Sequence, residues 1–127
     1  MGMSDNIVEK MIGRYQGTFI GETATVQYAG AGFGRHPILL AGGLLGALFG
    51  KPRVLVVTDK AVHLVKQKKA ENLTPDDVIG TYPRHVEVSS SFVSINKVSV
   101  GDDVIYISKL VTGPLKDLFP VASTANE

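Results

Sequence analysis

The sequence predicts an α+β fold in which antiparallel β-strands predominate, and three observations carry this prediction. Two valine-rich runs, RVLVVT and AVHLVK, flank the two-residue turn Asp59-Lys60, a pattern typical of a β-hairpin. Downstream, HVEVSSSFVSINKVSV and DDVIYISK flank Gly101 and predict two further strands of a meander. Helix signals occur near both ends of the chain, so we expect a mainly β protein with a short helix at either end.

The first elements follow from local signals. Ser4 is a typical helix cap, and Ile7 and Met11 lie at helical spacing, so residues 1–16 are predicted to contain an N-terminal helix. Residues 23–28 then alternate in the manner of a half-buried strand.

The last elements also carry recognisable start and stop residues. Thr74, Pro75 and the two aspartates after them have the chemistry of a helix start, which predicts one helical turn before a strand at VIGTYP. Gly113-Pro114 is expected to begin a short C-terminal helix, PLKDLF, which ends at Pro120.

Length and composition indicate one domain over residues 1–127. Hydrophobic residues make up 44% of the chain and charged residues 20%, which is typical of a globular protein. We expect a core over residues 21–119, with an apolar insertion at 36–50 and a tail at 120–127. The chain has no cysteine and no secretory signal pattern near its start, so we expect a cytoplasmic protein.

The insertion contains an uncharged stretch, PILLAGGLLGALFG, over residues 37–50. As a helix it would extend about 20 Å, which is short of the roughly 30 Å hydrocarbon core of a bilayer. Its large side chains gather on one side of such a helix: Ile38, Leu40, Leu44, Leu45, Leu48 and Phe49. Gly42, Gly46 and Gly50 recur every four residues on the other side, where a second backbone could pack closely.

Three interpretations of this stretch stay open. It covers the domain's own core, it associates with another copy, or it inserts into a membrane interface. Its many glycines weaken a helix by about 1 kcal/mol each, so a loop or hairpin is also open.

Basic residues surround the apolar stretch. From Arg35 to Lys69 the chain has seven basic residues and one acidic residue, a local charge of +6, and the other six basic and eleven acidic residues give −5. The predicted basic rim consists of Arg35, Lys51, Arg53, Lys66, Lys68 and Lys69. Anionic lipid headgroups attract such residues, although a solvated strand end is the alternative for the last three.

Signals for catalysis and cofactors are weak. Gly30, Gly32 and Gly34 resemble a phosphate-binding turn, but Arg35 stands where the dinucleotide fingerprint needs its third glycine, so we expect a flexible entry loop. The three histidines lack the spacing of a metal site. No aromatic residue interleaves with the charges between residues 51 and 69, so nucleic-acid binding is not expected. We therefore expect no enzyme activity, cofactor or metal. The sequence identifies no small-molecule substrate, although a barrel can enclose one ligand and a small-molecule carrier is a third alternative.

The stretch RVLVVTDKAVHLVKQ resembles the hairpin of bacterial pleckstrin-homology-like (PH/GRAM-like) domains, and TPDDVIGTYP and DVIYIS are similar to later parts of that family. The resemblance covers roughly residues 21–119 and extends to short actinobacterial proteins with an apolar segment before a KPRV strand. It implies a curled antiparallel barrel or sandwich whose open end is plugged by the C-terminal helix. Bacterial members of the family often have no assigned activity, and some assemble into rings or attach to membranes, so the resemblance implies assembly or membrane attachment as candidate roles.

These observations predict a non-enzymatic adaptor or assembly module. In the first hypothesis, the apolar residues and the basic rim contact an anionic membrane surface, at the inner face of the cell membrane. In the alternative, the same residues are buried between protomers of a homo-oligomer, because a large apolar patch seldom stays exposed on a monomer. A protein partner is compatible with either hypothesis.

Overall fold

The computed structural model describes residues 3–34, 52–92 and 95–119. Three α-helices occur in these ranges: α1 (Met3–Gln16), α2 (Phe19–Thr23) and α3 (Lys109–Leu118). Seven strands accompany them: β1 (Val26–Gly34), β2 (Pro52–Thr58), β3 (Val62–Lys66), β4 (Val78–Tyr82), β5 (Glu87–Phe92), β6 (Ile95–Val100) and β7 (Asp103–Ser108). Short 3-10 turns at Ala70–Asn72 and Pro75–Asp77 connect β3 to β4. The chain therefore has an α+β fold dominated by strands, as predicted.

The strands form one antiparallel sheet in the order β4-β3-β2-β1-β7-β6-β5. Strand β1 joins the two halves of this sheet, which are β4-β3-β2-β1 and β7-β6-β5. It pairs with β2 from Val26 opposite Thr58 to Phe33 opposite Pro52, with an irregularity between Val26 and Tyr28. Its pairing with β7 covers only residues 32–34. The two halves can therefore diverge from this short junction and face each other.

Both halves of the sheet contribute to one core. The core also contains Val8 of α1 and Leu115 and Phe119 from the C-terminal helical region. Its strand residues include Tyr28, Leu55, Val57, Val62, Leu64, Val88, Val98, Val100, Ile105 and Ile107. Because residues from β1–β3 and from β5–β7 share this cluster, the sheet must curl around it, as a barrel or sandwich does.

The outward face of β1–β3 carries a second buried cluster. Helices α1 and α2 cover it with Tyr15 and Ile20, and the strand residues below are Val26, Ala29, Val54, Val56 and Val65. Strand β2 is therefore buried on both faces, and each residue from Val54 to Val57 is at most 1% exposed. Two-sided burial explains why RVLVVT is a continuous apolar run and lacks the alternation of a half-exposed strand.

The glycines of β1 serve the packing of the strand. The ring of Tyr28 lies over Gly30, and a Cβ at Gly32 would come closer than 3.0 Å to the backbone carbonyl oxygen of Tyr106 in β7. An aromatic ring over a strand glycine is a known stabilising arrangement. The predicted flexible loop at Gly30, Gly32 and Gly34 was wrong, because these residues belong to β1, and Gly30 and Gly32 lack side chains where other groups approach.

Two buried hydrogen bonds hold α3 against the sheet. The Tyr28 hydroxyl donates to the carbonyl oxygen of Val111 at 2.6 Å. Asn96 Nδ2 of β6 donates to Thr112 Oγ1 at 2.8 Å, and both residues are almost fully buried. A buried polar group is costly unless it is paired, so these bonds restrict α3 to one position.

Several predicted elements are confirmed. They are the N-terminal helix, the hairpin around Asp59-Lys60, the helical turn at Pro75–Asp77 and the strand after it. Three boundaries were wrong. Thr18 caps α2, which had not been predicted and ends at Thr23, so the strand predicted at 23–28 begins only at Val26.

The other two corrections concern the C-terminal half. The long polar run at 85–100 forms two paired strands, β5 and β6, with Phe92 opposite Ile95. The last helix begins at Lys109 and includes Pro114, because the Ser108 hydroxyl accepts a hydrogen bond from the backbone N–H of Leu110 and caps it.

Candidate functional site

The candidate contact surface lies where the chain leaves β1 and returns in β2. Phe33 and Pro52 are partners in the sheet, so the chain departs after Gly34 and re-enters beside it. Partners in an antiparallel pair have Cα atoms about 4.5–5.5 Å apart. Gly34 and Pro52, which flank residues 35–51 in the chain, therefore lie at the same end of the sheet.

Most predicted contact residues lie outside the residues that the structure describes. They are Arg35, Ile38, Leu40, Gly42, Leu44, Leu45, Gly46, Leu48, Phe49, Gly50 and Lys51. Their contact roles, and the helix proposed for them, stay predictions from the sequence. The structure describes four rim residues, Arg53, Lys66, Lys68 and Lys69, and their contacts show how this part of the rim is arranged.

Arg53 and Lys66 form a like-charge pair. They are direct partners across β2 and β3, so their side chains lie on the same face of the sheet. Arg53 Nη1 donates to the carbonyl oxygen of Pro52 at 3.0 Å. Within residues 3–34, 52–92 and 95–119, neither cation has a carboxylate partner. Like charges directly opposite in a sheet destabilise it, so this end of the sheet retains a cationic pair at a cost in stability.

The lysines beyond β3 differ from each other. Lys68 Nζ lies 2.9 Å from Asp77 Oδ2, and Asp77 also accepts hydrogen bonds from the Thr74 backbone N–H and hydroxyl. Lys69 has an exposed side chain. The charge of Lys68 is therefore already compensated, whereas among the described rim residues Arg53, Lys66 and Lys69 have no carboxylate partner.

The hydrogen bond from Lys68 to Asp77, together with the bonds from Thr74, lowers the pKa of that carboxyl below its ordinary value of 3.8. A carboxyl whose pKa is depressed by folding stabilises the fold above its unfolded pKa, and this contribution disappears as the pH falls toward the folded pKa. The stabilisation by Asp77 should therefore be constant near neutral pH, begin to decrease near about pH 4, and be lost as the pH falls through the folded pKa.

Asp77→Asn should accordingly destabilise the protein at pH 7, and Asp76→Asn should not, because Asp76 is exposed and makes none of these bonds. Urea denaturation of both variants at pH 7 and pH 3 measures this. We expect the difference between their free energies of unfolding to shrink from pH 7 to pH 3, because at pH 3 the Asp77 carboxyl is largely protonated in the unfolded chain. A difference that is the same at both pH values would contradict the assigned role of Asp77.

The histidines occupy separate places. His63 Nδ1 lies 3.0 Å from Thr81 Oγ1, and partial burial lowers the pKa of His63. The His85 ring meets Phe119 edge-on, with centroids 6.3 Å apart. In the part of the chain that the structure describes, no three His, Asp or Glu side chains converge as metal ligands would.

One polar cluster had not been predicted. Arg84 Nε donates to the Thr58 carbonyl oxygen at 3.0 Å, Nη2 donates to Gln27 Oε1, and the guanidinium lies 5.1 Å from the centre of the Phe119 ring. Thr58 and Gln27 lie at the opposite end of β1 and β2 from the rim. These partners are far apart in the chain, so no local pattern in the sequence indicates the cluster.

No helix in the described ranges is both long enough and apolar enough to cross a bilayer. Comparison of the chain with protein-family models, with curated proteins and with solved structures gave no match. The resemblance to pleckstrin-homology-like domains therefore rests on the residues quoted above and stays a prediction.

Proposed function

We propose that the protein is a non-enzymatic, pleckstrin-homology-like adaptor that binds an anionic membrane surface from the cytoplasm. The apolar side chains of residues 37–50 enter the membrane interface, and Arg53, Lys66 and the remaining rim residues contact lipid phosphates. The observation that carries the proposal is the like-charge pair of Arg53 and Lys66 beside the attachment points of an apolar stretch.

The charges favour an anionic partner. Residues 35–51 contain no acidic side chain, so this stretch cannot compensate the two cations. A negative surface would compensate them, and each basic residue close to anionic lipid contributes about 1 kcal/mol to binding. Burial of leucine and phenylalanine side chains would add roughly 1.5–3 kcal/mol each. The two terms together account for a salt-sensitive attachment that does not require a spanning helix.

Flotation with vesicles of neutral or anionic phospholipid, at low and high salt, tests the proposal. We expect binding to anionic vesicles that weakens with salt, because exposed charges are screened. Light scattering of the lipid-free protein accompanies the assay. Absence of binding together with a mass several times 13.5 kDa would instead support the homo-oligomer hypothesis.

Lys66→Glu makes the test specific. The change places opposite charges across β2 and β3, which should raise the free energy of unfolding by a few tenths of a kcal/mol. It should also weaken binding to anionic vesicles by roughly 10-fold or more, because two units of charge are lost at about 1 kcal/mol each. Lys116→Glu, on an exposed site of α3, is the matched control. Equal loss of binding in both variants would indicate only a general charge effect and would contradict the rim.

A further inference from the structure

The connection between β3 and β4 holds one lysine of the rim in an internal ion pair. Strand β3 ends at Lys66, and Lys68 follows two residues later. Val65 of β3 is the partner of Val78 of β4, so Asp77 lies beside the same end of the sheet. Lys68 Nζ lies 2.9 Å from Asp77 Oδ2, which is the one ion pair in the part of the chain that the structure describes. The rim therefore carries its own counter-charge.

The two members of this pair are held unequally. The Lys68 side chain is 40% exposed, and in the described ranges its ammonium group has no second hydrogen-bond partner. The Asp77 side chain is only 9% exposed, and it accepts two further hydrogen bonds from Thr74, at 2.9 Å from the backbone N–H and at 3.1 Å from the hydroxyl. If Lys68 leaves, the carboxylate keeps both bonds from Thr74. Lys68 is therefore the member of the pair that can change partner.

We infer that Lys68 exchanges Asp77 for a phosphate when the rim meets an anionic phosphate surface, so that Asp77 is an internal competitor that lowers the affinity of the rim. The inference rests on the proposed function and concerns the regulation of the same surface. Asp77 stabilises the folded protein through this pair, and the same pair opposes binding.

The two contacts of Lys68 are similar in strength. An exposed ion pair changes an equilibrium constant by a factor of about 1–5. A basic residue close to anionic lipid changes the binding constant by a factor of about 5. Phosphate therefore displaces Asp77 by a small margin, and loss of the competitor should produce a measurable gain in affinity.

The neighbouring charges favour this exchange. Lys66 and Lys69 lie within two residues of Lys68, and in the described ranges neither has a carboxylate partner. A phosphate surface that contacts them is within reach of Lys68 after rotation of its flexible four-carbon side chain. Asp76 is exposed and forms no ion pair with the described part of the chain. Asp77 is thus the acidic residue that competes for Lys68.

Vesicle flotation with Asp77→Asn and Asp76→Asn, each with and without Lys68→Gln, tests the exchange. Both aspartate variants lose one negative charge, but only Asp77→Asn releases Lys68. We expect Asp77→Asn to bind anionic phospholipid vesicles about 2–5-fold more tightly than Asp76→Asn. Addition of Lys68→Gln to both variants should abolish this difference. Partial unfolding would act in the opposite direction, because Asp77→Asn is the less stable variant.

Salt elution of the same four variants from phosphocellulose separates the inference from the proposed function. This matrix presents phosphate groups without a bilayer, so retention depends on charge alone. We expect Asp77→Asn to elute at higher salt than Asp76→Asn, and the two combinations with Lys68→Gln to elute together. This order without vesicle binding by the wild type would contradict the proposed function and support the exchange.

Three results would overturn the inference. The first is equal binding by Asp77→Asn and Asp76→Asn. The second is an advantage of Asp77→Asn that persists after Lys68→Gln is added, because Lys68 would then have no part in it. The third is identical elution of all four variants from phosphocellulose, whatever the vesicles show. Vesicle binding by the wild type together with any of these results would leave the proposed function in place.

Discussion

Replacing Gly32 with valine should remove a large part of the stability of the protein. The Cβ of any side chain at this position would come closer than 3.0 Å to the carbonyl oxygen of Tyr106 and to the side chain of Ile107. A backbone oxygen cannot move aside as the end of a flexible side chain can, so β1 and β7 would have to separate. We expect a loss of about 3 kcal/mol or more, at or above the upper end of ordinary overpacking.

The reason for so large an effect is the position of Gly32 in the sheet. The pairing of β1 with β7 covers only three residues, and it is the connection between the two halves that enclose the core. Disruption of this junction therefore affects both halves, whereas most substitutions perturb one. Stabilities of domains are typically 5–15 kcal/mol, so the change approaches the limit of what the fold can tolerate.

Urea denaturation followed by circular dichroism measures this effect. Gly13→Ala in α1 is the matched control, because a Cβ at Gly13 would meet no atom within 4 Å. Alanine favours a helix over glycine, so this control should stabilise the protein by up to about 1 kcal/mol. If the free energy of unfolding of Gly32→Val lies within about 1 kcal/mol of the wild-type value, the close approach of β7 to β1 does not constrain the fold.

The second large effect concerns the membrane. Combining Leu45→Asp with Phe49→Asp should abolish binding to anionic vesicles and leave the sheet folded. Each change removes roughly 1.5–3 kcal/mol of apolar burial and adds a negative charge that the lipid repels. The sum corresponds to a loss of at least about a hundredfold in affinity.

Flotation with the same vesicles measures the loss, and circular dichroism verifies the fold. Leu110→Asp is the matched control, because Leu110 is 75% exposed on α3 and lies outside the predicted contact stretch. We expect the control to bind as the wild type does. Undiminished binding by the double variant would show that residues 37–50 do not carry the attachment.

Local chemistry explains which elements the sequence could predict. The hairpin around Asp59-Lys60 and the turn begun by Thr74 depend on neighbouring residues alone, and both predictions were confirmed. The role of Gly30 and Gly32 depends on Tyr28 and Tyr106, of which the latter is more than seventy positions away in the chain. No local pattern distinguishes such glycines from those of a flexible loop, so the sequence predicted β1 too short.

For the candidate site too, the sequence predicted local features but not contacts between residues that are distant in the chain. The basic composition around the apolar stretch was visible in the sequence, but the distribution of roles within the rim was not. Only the sheet register brings Arg53 opposite Lys66, and only the fold of the β3–β4 connection brings Asp77 to Lys68. Without these distances the six rim residues appear equivalent, although one of the lysines is already neutralised.

The partnership of Phe33 and Pro52 has a consequence for how such a protein can diverge. Since the sheet itself brings the two ends together, the entropy of closing the stretch between them grows only with the logarithm of its length. Each doubling costs roughly 0.6 kcal/mol. The sheet should therefore tolerate insertions, deletions and complete exchange of residues 35–51. Related proteins with this sheet could therefore bind different surfaces through residues 35–51 while the structures of their strands remain the same.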